Sequence, residues 1–284
     1  MVRALRSITP GQSIHDDTLV SANGTFKPGN SQSQYFSIWY KDLPPRPRTR
    51  TIVWIANRDT PVDNSTEIMF KVTDAGNPVI VDASGTIIWS SNASTTAQNP
   101  VMLLQDTGNL VVEYGVNGSI VWQSFDYPGD TLLPGMVLNG DRVTGEHNSL
   151  TSWINTGDPG RGDFSYHFDA RGYPQLVITK GTRLMYRLGS WNGFLFSGTP
   201  WESLYDCFGF SFQLTEEEVS FKYEALDDSL VSRYMIDPTG TVQPFLWSSE
   251  AETWQLFQAG SWDQCDNYAF CGANSECSVR SSPI

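Results

Sequence analysis

An all-β chain of two domains is what this sequence predicts, and three observations predict it. Apolar residues come in short, β-branched or aromatic runs bounded by Gly, Asn and Asp, the pattern of strands joined by turns. One strand–turn–strand–turn–strand unit recurs at an offset of 32 to 33 residues. No stretch carries a helical period that competes with this reading.

The recurring unit is clearest at Phe70-Lys71-Val72-Thr73-Asp74-Ala75-Gly76-Asn77-Pro78-Val79-Ile80-Val81, followed by Gly85-Thr86-Ile87-Ile88-Trp89. Its second copy is Val101-Met102-Leu103-Leu104-Gln105-Asp106-Thr107-Gly108-Asn109-Leu110-Val111-Val112, followed by Gly118-Ser119-Ile120-Val121-Trp122. A looser copy lies upstream, where Phe36-Ser37-Ile38-Trp39-Tyr40 and Thr51-Ile52-Val53-Trp54-Ile55 flank a Pro-rich loop. No single unit buries its own apolar face, so the three are expected to stack around shared tryptophans. From Leu150 onward the texture changes to longer alternating segments such as Phe164-Ser165-Tyr166-His167-Phe168 and Val219-Ser220-Phe221-Lys222-Tyr223, which predict a second β-rich domain. Its boundary is placed in the Gly/Asn-rich stretch Asn139 to Asn148. The segment Gly157 to Asp163, with its Arg161-Gly162-Asp163 tripeptide, reads as a turn.

Composition narrows the function. With 18 basic and 31 acidic residues the net charge is -13, which repels phosphate backbones and excludes nucleic acid as a partner. No apolar run approaches the roughly 20 residues of a membrane span, and the amino end lacks the apolar core of a signal peptide. Asn-x-Ser/Thr acceptors at Asn23, Asn64, Asn92 and Asn117 point to a secreted parent protein. Cys265, Cys271 and Cys277 are spaced six apart and open a disulfide module that is expected to continue past Ile284, while Cys207 stands alone; a zinc site is the weaker alternative. The chain holds only His15, His147 and His167, none in a catalytic motif, and no phosphate loop, so neither an enzyme nor a metal or other cofactor is expected.

Two motifs carry a family resemblance. Val53-Trp54-Ile55-Ala56-Asn57-Arg58-Asp59 and Trp122-Gln123-Ser124-Phe125-Asp126-Tyr127-Pro128-Gly129-Asp130-Thr131-Leu132-Leu133-Pro134-Gly135-Met136 resemble the bulb-type lectin domain of plant S-locus glycoproteins and S-domain receptor kinases. Gly162-Asp163-Phe164-Ser165-Tyr166, Gly172-Tyr173-Pro174-Gln175-Leu176 and Ser190-Trp191-Asn192-Gly193 are similar to the S-locus glycoprotein domain, and Asp263 to Gly272 to the start of an EGF-like module. The resemblance implies a β-prism lectin domain over 1–145, an S-locus glycoprotein domain over 146–262 and an incomplete EGF-like module over 263–284. It also implies a Cys265–Cys277 disulfide, with the partner of Cys271 beyond the chain end. One departure stands out: Gly24-Thr25-Phe26 runs straight into Lys27-Pro28-Gly29-Asn30 where relatives carry an apolar strand, so a strand near 26–30 is expected to be missing. The chain accordingly reads as a fragment, an incomplete gene product or a decayed relative.

Sugar binding in bulb-type lectins rests on Gln-x-Asp-x-Asn-x-Val-x-Tyr, whose alternate residues are expected on one face of a strand. Here Gln105, Asn109 and Val111 keep the pattern, but Thr107 and Glu113 replace Asp and Tyr; the copy at Thr73, Ala75, Asn77, Val79 and Val81 keeps only Asn77 and Val79. Two lost hydrogen bonds cost roughly 2–4 kcal/mol, enough to abolish a weak monosaccharide site. The favoured role of Asn77 and Asn109 is turn geometry. The resemblance thus implies an extracellular recognition module, at the outer face of the plasma membrane or secreted, that binds a peptide or protein ligand in signalling such as pollen recognition, with a homodimer or co-receptor as further partner. A mannose-type glycan lectin and a non-functional remnant are the alternatives. The receptor form of the family adds a Ser/Thr kinase that this chain lacks.

Overall fold

A computed structural model of the chain describes residues 7–14, 19–31, 35–41, 43, 50–63, 66–93, 98–115, 118–193, 196, 206–227, 229–256 and 268–276. The strands in chain order are β1 (Ser7–Ile8), β2 (Ser13–Ile14), β3 (Phe26–Ser31), β4 (Tyr35–Tyr40), β5 (Ile52–Ile55), β6 (Ile68–Val72), β7 (Pro78–Asp82), β8 (Ile87–Ser90), β9 (Pro100–Leu104), β10 (Leu110–Tyr114) and β11 (Ile120–Gln123) in a first compact unit that ends at Gly129. A second unit starts at Asp130 and holds β12 (Thr131–Leu132), β13 (Val137–Asp141), β14 (Leu150–Asn155), β15 (Asp158–Asp169), β16 (Gln175–Lys180), β17 (Arg183–Arg187), β18 (Phe208–Leu214), β19 (Glu218–Ala225), β20 (Ser232–Ile236), β21 (Val242–Ser248) and β22 (Thr253–Leu256). The only helical element among the described residues is one 3-10 turn, Ser124–Asp126. No described helix is long and apolar enough to cross a membrane.

In the first unit each repeat becomes one antiparallel sheet. The orders are β3-β4-β5, β2-β6-β7-β8 and β1-β9-β10-β11, so the two amino-terminal strands serve as fourth strands for the second and third repeats. β6 and β9 alternate buried and half-buried residues, whereas β4 and β5 are buried throughout, and the third strand of each repeat carries a tryptophan. The Trp54 ring meets Trp89 at 6.4 Å and Trp122 at 6.1 Å, both edge-on, the arrangement that the ring quadrupole favours. Phe36 stacks on Phe70 at 3.9 Å between the first and second sheets. At 150 to 250 Å² each, these aromatics contribute on the order of 4–6 kcal/mol apiece by area, an upper bound because unfolded chains also bury surface.

Three expectations are corrected here. The strand thought lost near 26–30 is present: β3 pairs residue by residue with β4, from Phe26 opposite Tyr40 to Ser31 opposite Tyr35. Its polar sequence is tolerated because β3 is the edge of its sheet among the described residues, where Pro28, with no N–H to donate, costs least. The units divide at Gly129 rather than at 145, because the Gly/Asn-rich stretch is a hairpin of the second unit and not a linker. There β13 pairs with β19, Asp141 N–H donates to the Glu146 carbonyl at 2.7 Å, and Gly145 adopts φ +78. Finally, Arg161-Gly162-Asp163 lies within β15 and not in a turn. The hairpin closes earlier, with Asn155 opposite Asp158, and a Cβ on Gly162 would stand 2.3 Å from the Trp153 carbonyl oxygen.

The second unit has the sheets β12-β20-β21-β22, β13-β19-β18 and β14-β15-β16-β17, all antiparallel. Its core is an aromatic cluster. Trp191 stacks on Phe212 at 5.2 Å and meets Phe196 edge-on at 5.3 Å, so this half-buried tryptophan packs within the cluster. Tyr223 meets Tyr234 edge-on at 4.7 Å, and burial pushes the Tyr166 and Tyr234 hydroxyls far above the usual phenol range.

His167 on β15 stacks on His147 at 4.2 Å. Burial, followed by the neighbouring His147, pushes the His167 imidazole down to about 4, against a smaller upward pull from Asp169. The unfolded chain takes up a proton near pH 6.5 while the folded chain resists until about pH 4. Protonation therefore favours unfolding, and stability that is complete above pH 6.5 is lost progressively towards pH 4. Thermal unfolding between pH 7.5 and 4.5 is expected to show this slope, and His167→Phe, which keeps the stack, is expected to flatten it. Guanidinium unfolding provides a second check. Trp54→Ala is expected to cost about 3–5 kcal/mol and Trp89→Ala, whose side chain is half-exposed, distinctly less; equal losses would refute a core centred on Trp54.

Candidate functional site

The third repeat carries the fullest remnant of the sugar-binding pattern, and its geometry begins with a turn. β9 ends at Leu104 and β10 starts at Leu110, so Gln105, Thr107 and Asn109 lie in the connection and not on a strand face. Gln105 N–H donates to the Asn109 carbonyl at 2.8 Å and Gly108 N–H to the Gln105 carbonyl at 3.0 Å. Gly108 closes the turn at φ +88, a conformation that glycine adopts without strain. The expectation of alternate residues on one strand face thus holds only for Val111 and Glu113. Of these, Val111 is wholly buried, between Leu103 on β9 and Gln123 on β11.

Asn109 is 5% exposed and its amide makes three internal hydrogen bonds. Nδ2 donates to Gln123 Oε1 at 2.9 Å, while Oδ1 accepts from Ser124 Oγ at 3.1 Å and from Phe125 N–H at 3.2 Å. Ser124 Oγ in turn accepts from Leu110 N–H at 2.9 Å. Gln123 Nε2 donates to Asp126 Oδ1 at 2.8 Å; burial raises the Asp126 carboxyl, and the Gln123 bond partly offsets that. These side chains form a clasp between the start of β10 and the 3-10 turn after β11. That turn delivers Tyr127, whose carbonyl accepts from Trp54 Nε1 at 2.8 Å.

The clasp recurs with altered chemistry. In the second repeat Ser91 Oγ donates to Asn77 Oδ1 at 3.3 Å, and Asn77 closes the same turn with Thr73 and Gly76. In the first, Asn57, wholly buried, accepts from Phe36 N–H at 2.9 Å and donates through Nδ2 to the Thr60 carbonyl at 3.0 Å. A side chain placed just after the third strand satisfies a backbone donor at the start of the second in both the first and third repeats. The sequence pattern did not single out Asn57 or Ser124 as members of this set, although both sit two or three residues after a repeat tryptophan, which is the signal that could have found them.

Other sequence-derived sites divide between seen and unseen. Asn23 and Asn92 are exposed in loops, whereas Asn64 and Asn117 lie outside the described residues. Cys207 is a half-buried thiol and Cys271 an exposed one; Cys265 and Cys277 lie outside the described residues. Arg161 donates to Thr151 Oγ1 at 3.3 Å and Asp163 lies 3.5 Å from Lys180, so the tripeptide is spent on its own sheet. Among the described residues no group of His, Cys, Asp or Glu is placed to hold a metal ion.

A repeated β-sheet unit with a degenerate sugar motif, joined to a second β unit, defines a lectin-like recognition protein. Sequence comparison matches residues 51–154 to the D-mannose binding lectin family and residues 186–284 to the S-locus glycoprotein domain. The G-type lectin S-receptor-like serine/threonine-protein kinase RKS1 of Arabidopsis thaliana is 41% identical over 95% of this chain and 33% of its own length. The S-locus-specific glycoprotein BS29-2 of Brassica oleracea var. alboglabra is 36% identical over 100% of this chain and 66% of its own length. The chain belongs to this family of S-locus glycoproteins and G-type lectin S-receptor-like proteins, and it spans about a third of the length of the receptor kinases it matches. Among solved structures, a monomeric mannose-binding lectin from Gastrodia elata aligns with 42% of this chain and 95% of its own at 19% identity and a TM-score of 0.34. A two-domain agglutinin from Scilla campanulata aligns with 80% and 95% at 15% identity and a TM-score of 0.27; at such scores the family relation rests on sequence.

Because the clasp holds a buried amide on three bonds, Asn109→Ala is expected to lower unfolding stability by about 2–3 kcal/mol in a denaturant titration. A variant as stable as the parent would show that the amide is free to serve a ligand.

Proposed function

We propose that this chain is the extracellular recognition module of an S-domain receptor-like protein and that it binds a peptide or protein ligand in cell-surface signalling of the pollen-recognition type. The single observation that supports this reading over a mannose lectin is the engagement of the Asn109 amide within the clasp, together with the burial of Val111. A mannose hydroxyl at that amide competes with internal hydrogen bonds already made there, so its gain is offset by their loss. Some relatives are named as receptor-like serine/threonine-protein kinases and others as S-locus-specific glycoproteins. Recognition in this reading belongs to loops and surface pockets outside the remnant sugar motif, which fold alone does not specify.

The secreted protein, immobilised, tests this against extracellular fluid from plant tissue. Saturable binding that protease treatment of the fluid abolishes and periodate treatment leaves intact is the expected result. Binding abolished by periodate and competed by mannotriose would establish the lectin reading instead.

A further inference from the structure

The first repeat carries a pocket that the remnant sugar motif does not include. It has a volume of about 260 Å³ and is lined by Lys27 on β3, Trp39 and Tyr40 on β4, and Lys41, Leu43 and Arg50. Three of the six lining residues are cations, in a chain whose net charge is -13. Trp39 forms the floor, 4% exposed, and the Arg50 guanidinium lies 4.2 Å from its ring centroid with Lys27 Nζ at 5.7 Å. Arg50 Nη1 donates to the Asn30 carbonyl at 2.7 Å. One nitrogen anchored to backbone and one face on an indole fix the guanidinium plane, and a planar fork held this way suits bidentate capture of a carboxylate.

We propose that this pocket is a carboxylate-binding site for an acidic peptide, seating one Asp or Glu side chain or a chain terminus against Arg50 between Lys27 and Lys41. The lining chemistry favours a peptide over an acidic sugar. A pyranose presents several hydroxyl donors, and among the lining side chains the Tyr40 hydroxyl alone has acceptor capacity, since Lys and Arg only donate. A pocket of this volume is below the size of sites that enclose whole drug-sized ligands and fits a single side chain. The fixed Arg50 guanidinium gives the site its selectivity for a carboxylate, and its charge gives a dependence on salt. This deepens the peptide reading above by giving the ligand an acidic group.

Fluorescence anisotropy with labelled hexaglutamate and hexaglutamine tests it on the whole chain. Hexaglutamate is expected to bind saturably and hexaglutamine not to, with affinity falling as salt is raised. Arg50→Ala is expected to weaken hexaglutamate by about tenfold to a hundredfold and Arg50→Lys, which keeps charge but loses the fork, by an intermediate factor. Lys71→Gln on β6 removes the same charge from another sheet and is expected to leave binding unchanged; circular dichroism checks that each variant is folded. Equal affinity of parent and Arg50 variants, an equal loss from Lys71→Gln, no saturable hexaglutamate binding, or tighter binding of trigalacturonate than of hexaglutamate would each overturn the proposal. The periodate arm of the earlier experiment is independent of it, so failure of this pocket leaves the peptide reading to stand or fall there.

Discussion

The meeting of Trp54 with Trp89 and Trp122 is the interaction on which the first unit depends. A three- or four-stranded sheet must bury its apolar face against another layer, and here the other repeats supply that layer. Edge-on contacts from one central indole to two others let three sheets share a core without any of them contributing a second layer. The Tyr127 carbonyl on Trp54 Nε1 supplies the polar partner that a buried indole requires, and that carbonyl is positioned by the clasp around Asn109 and Ser124. Core, clasp and terminal turn are thus one connected construction.

That connection explains why the sugar motif and the fold compete for the same atoms. Asn109 stands where a lectin of this type would present an amide to a hydroxyl, yet here it ties the start of β10 to the turn after β11. With Thr107 and Glu113 where the motif has Asp and Tyr, the polar atoms of Asn109 are engaged by the fold. The first repeat instead sets the cations Lys27 and Arg50 against the buried Trp39 indole.

Much of this architecture was legible in the sequence, for a definite reason. Turn glycines and repeat tryptophans are local requirements: the connection through Gly76 and Gly108 needs φ values of +87 and +88, and the core needs a large apolar side chain at the end of each third strand. What escaped was nonlocal. β3 is a strand because Ile38 and Tyr40 opposite it are buried, not because Lys27-Pro28-Gly29-Asn30 is apolar. The stretch from Asn139 to Asn148 has the composition of a linker and of a tight hairpin alike, and only its pairing with β19 decides between them. Lys27 and Arg50 come from opposite sides of β4 and meet over Trp39 through sheet order, which no motif encodes. The internal bonds of Asn109 were invisible for the same reason, since Ser124 and Phe125 reach it across two turns of chain.

Pro28 has a consequence at the level of the solution rather than the molecule. β3 is the edge of its sheet among the described residues, and an uninterrupted edge would be a template on which a second copy could extend the sheet. A proline removes one donor from that edge, and the charged neighbour Lys27 adds repulsion between copies. The polar, broken-looking sequence that resembles decay is therefore also one that offers a second copy a poorer template at this edge.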